Sequence, residues 1–110
     1  PLGRRLAASP QVYREYPFSV LLSAAPYLPA LEKGETIMVQ GVLDCLFREG
    51  NGWVLLDYKT DHLDTAAAFK ARYRVQLDLY KRAVEQIRHE SVSNVYIYSF
   101  YLQQIIPFTV

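Results

Sequence analysis

Residues Gly41 to Asp61, GVLDCLFREGNGWVLLDYKTD, hold two apolar-rich runs joined by Glu49-Gly50-Asn51-Gly52, and this joint constrains the fold more than any other feature of the chain. Glycine and asparagine supply the positive φ that tight hairpin turns need, so Thr36–Arg48 and Trp53–Thr60 read as paired antiparallel strands. Two registers are open. With Gly50–Asn51 as the turn, Glu49 faces Gly52 and Asp44 lies directly opposite Asp57. With Asn51–Gly52, the stronger type I′ signal, Asp44 faces Lys59 and Asp57 sits on the diagonal. Side chains alternate with period two, so either register puts Asp44, Asp57 and Lys59 on one face of the sheet. Only a loop of odd length would separate them.

Cross-strand Cβ atoms lie about 4.5–5.5 Å apart and diagonal ones roughly 7–8 Å. Two carboxylates so close in a half-buried setting repel, and one stays protonated unless a cation sits between them. A hard divalent ion such as Mg²⁺, with Mn²⁺ as a substitute, fits two carboxylates plus waters. Lys59 then adds a fixed positive charge at the same spot. That combination suits phosphodiester hydrolysis, with water activated at the metal and the lysine set against charge that develops in the transition state. The competing reading is structural: a cross-strand Asp44–Lys59 salt bridge with Asp57 solvated.

The chain downstream bears on the choice. Asp64 reads as a helix N-cap, followed by good helix formers from Ala66 to about Arg88. Phe69, Tyr73, Gln76, Leu77, Tyr80, Val84 and Ile87 recur at three- and four-residue spacing, the face such a helix buries. Gln76 and Tyr80 are polar on that face, and a buried amide left unpaired costs ~1–3 kcal/mol. Either Gln76 bonds the sheet backbone or it serves a site. The helix directly follows the strand carrying Asp57 and Lys59, so its inner face reaches theirs. Val12–Leu22 reads as a further strand, with Pro17 pointing to an edge or a bulge. The stretch from Ser23 to Glu35, with Pro26, Pro29 and Gly34, reads as a loop, and Val95–Leu102 and Ile105–Val110 as two last strands. The opening PLGRRLAAS reads as a linker or the tail of a preceding helix. Three strands, a long helix and two strands make an α/β sandwich with a mixed or antiparallel sheet.

Composition narrows the class. At 110 residues, 51% hydrophobic and 21% charged, the chain reads as one compact domain, residues 1–110, and as short enough to be a piece of a larger protein. A formal net charge of +1 gives no global basic field, so any nucleic-acid contact is local. The single cysteine, Cys45, excludes an internal disulfide and suits a reducing compartment, here expected to be the cytoplasm. No apolar run approaches the ~20 residues of a membrane span, and no signal-peptide pattern opens the chain.

GVLD (Gly41–Asp44), DYKTD (Asp57–Asp61) and QLDLY (Gln76–Tyr80), in this order and spacing, resemble the RecB-type nuclease group of the PD-(D/E)XK superfamily. YREYPF (Tyr13–Phe18) is similar to that group's upstream strand, with Glu15 at its acidic position. The resemblance covers nearly the whole chain and is strongest to the C-terminal nuclease domain of helicase–nuclease subunits. It implies a restriction-endonuclease-like mixed sheet flanked by helices, with the N-terminal helix truncated. It further implies a Mg²⁺-dependent DNA exonuclease acting in double-strand break repair by recombination, whose partners are DNA and an AddB-like (RexB-like) nuclease subunit. On this resemblance Asp44 and Asp57 bind the metal and Lys59 is catalytic. Gln76 and Tyr80 complete the site or touch the strand being cut, and Glu15 is a further substrate-side candidate. The group also carries a histidine on a helix upstream of the REYPF-like strand, a position that neither His62 nor His89 occupies. An isolated fragment lacking it is expected to bind metal poorly or to be inactive. ATP would belong to a helicase region outside this sequence, and one cysteine cannot hold the iron–sulfur cluster of AddB-like relatives. The alternative is a catalytically inactive nuclease-like module that binds DNA or docks a partner protein.

The remaining residues have plainer readings. Cys45 points to the face opposite Asp44 and reads as a small core residue. His62 and His89 flank the helix and read as solvated. Nine tyrosines raise base stacking, but the alternation of VYIYSFY makes most of them core or sheet surface. Arg72, Arg74, Lys81, Arg82 and Arg88 read as a basic, solvated outer face of the helix.

Overall fold

A computed structural model describes residues 2–23 and 36–108. Its elements are α1 (Leu2–Ala8), β1 (Val12–Ser23), β2 (Thr36–Glu49), β3 (Gly52–Lys59), α2 (Ala66–Arg88), β4 (Val92–Ser99) and β5 (Gln104–Phe108). The five strands form one sheet in sequence order, β1-β2-β3-β4-β5. β1, β2 and β3 are an antiparallel meander, β3 and β4 pair in parallel through the α2 crossover, and β5 returns antiparallel to β4. The sheet is therefore mixed, the first of the two arrangements expected. PLGRRLAAS forms a short helix, and the predicted loop after Ser23 lies outside the described residues.

Each face of the sheet has its own cover. On one, Phe69, Leu77, Ala83 and Val84 of α2 pack on Leu43, Leu46, Leu55, Val95, Ile97 and Ile106. On the other, Cys45, Phe47, Val54 and Leu56 pack against Leu2 and Leu6 of α1 and against Tyr96 and Tyr98. Pro17 falls in β1, an edge strand, where a missing N–H costs no ladder bond.

The hairpin takes the first of its two registers: Glu49 faces Gly52, Phe47 faces Val54 and Cys45 faces Leu56, with Gly50 at φ 60° in the turn. The Asn51–Gly52 turn, although the stronger local signal, loses to packing. Gly52 is buried against β4, and a Cβ there would lie 3.1 Å from Ser93 Oγ and 3.2 Å from the Ser91 carbonyl. Slipping the register would also break the Leu46–Leu55 and Cys45–Leu56 matches on which both cores rest.

Strict alternation fails at one level of the sheet. Leu43 and Leu46 both face α2 while Cys45 and Phe47 face α1, so the pleat is interrupted between Leu43 and Leu46. Tyr13 and Tyr16 of β1 likewise pack on the same core, and between them Glu15 adopts φ 51°, where the β1–β2 ladder skips a pair. The interruption lies level with Asp44.

Three boundaries differ from expectation. The N-cap of α2 is Thr65 and not Asp64: Thr65 is extended, and its Oγ1 accepts the Ala68 N–H at 3.1 Å. Ile87, placed on the buried face by its spacing, is 36% exposed because the helix nears its end there. β4 starts at Val92 and stops at Ser99, and β5 spans Gln104–Phe108.

Candidate active site

Asp57 lies on β3, between β2 and β4, and is only 4% exposed. Leu55 and Leu56 precede it in the same buried run, so its carboxyl group has little water to solvate it. Burial pushes its pKa up to about 6, and a hydrogen bond to Asp44 acts in the same direction, while the Lys59 ammonium opposes both. Lys59 Nζ is 2.9 Å from Asp57 Oδ2. Asp44, on β2, turns its carboxylate toward β3, where Oδ2 accepts the Tyr58 N–H at 2.8 Å. That backbone group lies just past the last β2–β3 pair, so Asp44 takes the place of a ladder partner.

The lysine is held from three sides. Besides Asp57, its ammonium donates to Gln76 Oε1 at 3.2 Å and lies 4.3 Å from the centre of the Tyr73 ring. Gln76 Nε2 in turn donates to the Tyr80 hydroxyl at 3.3 Å. Gln76 is thus satisfied by Lys59 and Tyr80, not by the sheet backbone. Tyr80 stands edge-on to Phe18, with centroids 5.1 Å apart, and over Gly41. A Cβ on Gly41 would come within 2.9 Å of the Tyr80 oxygen, so GVLD requires glycine there for close approach to α2. The structural alternative of an Asp44–Lys59 ion pair does not form: the lysine pairs with Asp57, and Asp44 with the backbone.

Glu15 is exposed on β1, level with Asp44, and carries the left-handed φ noted above. Among the described residues no third His, Cys, Asp or Glu side chain joins Asp44 and Asp57 in a cluster. The pair still fits a hard divalent cation: two oxygen-bearing groups on neighbouring strands, one buried and holding its proton too tightly for an isolated acid. Clefts beside α1, such as the one lined by Gly3, Leu6, Val12 and Arg14, contain no such pair.

Two contributors escaped sequence reasoning. Tyr73 appeared only as a core aromatic, and Asp61 only as the tail of DYKTD. The Tyr73 hydroxyl donates to Asp61 Oδ1 at 2.6 Å, which holds the Asp61 carboxyl below the usual range and steadies the ring against Lys59. The spacing of Tyr73 to Gln76, one helical turn, is the signal that could have joined it to the site.

Cys45 is buried on the α1 side, as expected, and burial pushes its thiol pKa up. His62 is exposed, and His89 is the left-handed C-cap of α2. The basic outer face is broken at Arg88, whose guanidinium lies 4.5 Å from the Tyr13 ring centre and 5.0 Å from that of Trp53. It clamps the end of α2 to the sheet.

A mixed sheet with a crossover helix, bearing Asp44, Asp57 and Lys59 on adjacent strands and Gln76 on that helix, defines a nuclease class, and the chain belongs to the PD-(D/E)XK nuclease superfamily, whose sequence profile matches residues 2–106. Members of that superfamily generally use divalent metals. Its relatives are more particular. The chain is 48% identical over 101 residues to the AddA-type subunit of the ATP-dependent helicase/nuclease of Desulforudis audaxviator, covering 88% of this chain and 8% of that protein. The corresponding helicase/nuclease proteins of Syntrophomonas wolfei and Geobacillus kaustophilus are 43% and 44% identical, over 96% and 90% of this chain and 9% of each relative. The chain spans less than a tenth of the length of these relatives. No helix among the described residues is long and apolar enough to cross a membrane.

Proposed function

We propose that this chain is the Mg²⁺-dependent DNA exonuclease domain of an AddA-type (RexA-type) ATP-dependent helicase–nuclease that acts in double-strand break repair by recombination. One observation carries the reading: the Lys59 ammonium is fixed between Asp57 and Gln76, beside a carboxyl pair of Asp44 and Asp57. A lysine tied down by an amide and a carboxylate at a paired acidic site is costly to build for stability alone. On this reading residues 1–110 are the C-terminal nuclease unit of a longer chain, ATP is used elsewhere in that chain, and its partner is an AddB-like (RexB-like) protein. DNA is the substrate.

In this assignment Asp44 and Asp57 hold the cation. When bound, it supplies an activated water and positive charge against the phosphate. Asp57 must release its proton first, and a pKa of about 6 leaves it mostly ionised at neutral pH. Lys59 is placed to stabilise negative charge that develops on the phosphoryl oxygens. Gln76 orients the lysine, and Tyr80 holds Gln76 in turn. Glu15, exposed and level with Asp44, is a candidate contact to the strand. The absence of a third acidic or histidine partner among the described residues supports weak metal binding by the chain alone.

The test is digestion of a labelled linear duplex by the full-length parent protein with ATP and Mg²⁺, with unwinding read in parallel. Lys59→Ala should lower cleavage by about 10²-fold or more and leave unwinding and DNA binding near wild type, because the lysine acts on transition-state charge. A catalytically inactive docking module predicts no cleavage to lose. Undiminished cleavage by a folded Lys59→Ala protein would remove the central residue of the reading.

A further inference from the structure

The parallel strands β3 and β4 end side by side, and ligands of such sheets bind outside the carboxyl ends of their strands. Two loops lie there, residues 60–65 and 100–103. The second is fixed in place. Phe100 N–H donates to the Lys59 carbonyl at 3.1 Å, the buried Ser99 hydroxyl accepts the Leu102 N–H at 3.0 Å, and Gln103 at φ 53° turns the chain into β5. Leu63 and Leu102 pack into the core beneath. Between these anchors Tyr101 is left 50% exposed, its ring stacked on the exposed His62 imidazole with centroids 4.6 Å apart and planes 18° from parallel. Phe100 is committed otherwise, packing on Tyr98 and Tyr58.

We infer that His62 and Tyr101 form a stacking platform for unpaired nucleobases of the DNA strand that enters the Lys59 site. The inference rests on the nuclease reading and narrows it to a single-stranded substrate at the point of cutting. His62 follows Lys59 by three residues, so its Cα lies within about 10 Å of the lysine's, the reach of a base near the phosphate being cut. An aromatic face accepts any base, each stack contributing ~1–3 kcal/mol, which suits an enzyme that cannot choose its sequence. In a duplex both faces of a base are already covered by its neighbours. Only a splayed strand can offer them.

Equilibrium binding of a fluorescent oligothymidylate to this chain, in chelator so that the metal-dependent reaction is off, tests the platform. Tyr101→Ala should weaken binding about 5- to 150-fold, the stacking range converted at ~1.4 kcal/mol per tenfold, and Tyr101→Phe should retain it. A second variant, His62→Ala, should also weaken it and guards against a folding defect in the first; matched melting temperatures check both. An oligonucleotide of equal length with abasic sugars should bind wild type and Tyr101→Ala alike. The platform is overturned if the wild-type chain binds no single strand, if neither alanine variant differs from it, or if the loss is equal on the abasic strand. Failure here with Lys59-dependent cleavage intact rejects the platform alone. Base-dependent binding without such cleavage keeps the platform and rejects the nuclease reading.

Discussion

Burial lifts the proton affinity of Asp57, Lys59 at 2.9 Å lowers it, and burial wins. The unfolded carboxyl has a pKa near ~3.9 and the folded one about 6, so the native state binds this proton more tightly. Stability conferred by the protonated form is complete at low pH and is lost as pH rises from about 4 to about 6, by up to roughly 3 kcal/mol. Urea unfolding of the metal-free protein in chelator should show that decline, and Asp57→Asn should flatten it. Asp61, Glu49 and Glu90, held below the usual range by their hydrogen bonds, act in the opposite sense at lower pH, so the difference between wild type and variant isolates Asp57. An identical slope in both proteins would count against the buried carboxyl pair. Tyr73 makes a second prediction at this scale. In the parent protein Tyr73→Leu should lower kcat with little change in KM, since the ring steadies Lys59 and has no substrate role, and Tyr73→Phe should keep more of the rate. Equal loss in both would assign the effect to the Asp61 tether. Asp44, Asp57 and Lys59 were legible because charges interrupt an apolar run. Tyr73 was not, because a tyrosine at helical spacing satisfies the pattern of a core residue as well as that of a site.

At the scale of elements, α2 shows how ends are set by single side chains. Thr65→Ala removes the bond to the Ala68 N–H and should cost about 1 kcal/mol, while Asp64→Ala should cost much less. At the other end His89 holds φ 56° without being glycine, and His89→Gly should stabilise by up to about 1 kcal/mol. Thermal melts of the three variants check both ends. Helix and strands were readable from periodicity and turn residues to within a few positions. The turn register was not, because both candidate turns contain asparagine and glycine, and the choice falls to Gly52, whose missing Cβ lets β4 approach. Arg88 was misplaced for a related reason: its helical position points outward until the Tyr13, Tyr16 and Trp53 rings gather around it, a contact between distant parts of the chain.

For the molecule as a whole, the order of the strands could be read, but the break in alternation at Glu15 and Asp44 could not, since it belongs to two strands together. The mixed sheet also divides the site by connection. Asp44 and Asp57 are joined by a tight hairpin, whereas the parallel β3–β4 pair must await the 23-residue α2, which carries Gln76 and Tyr80. Hairpins close in ~1–10 μs, and pairings across long crossovers form later. The chain therefore brings its two acids together before the helix that holds Lys59 has docked, and their repulsion falls on the way up the folding barrier. Asp57→Asn should speed refolding in chelator at neutral pH, with a smaller change in the unfolding rate, as read from the two arms of a stopped-flow chevron. A change confined to the unfolding arm would mean that the acids meet only after the barrier has been crossed.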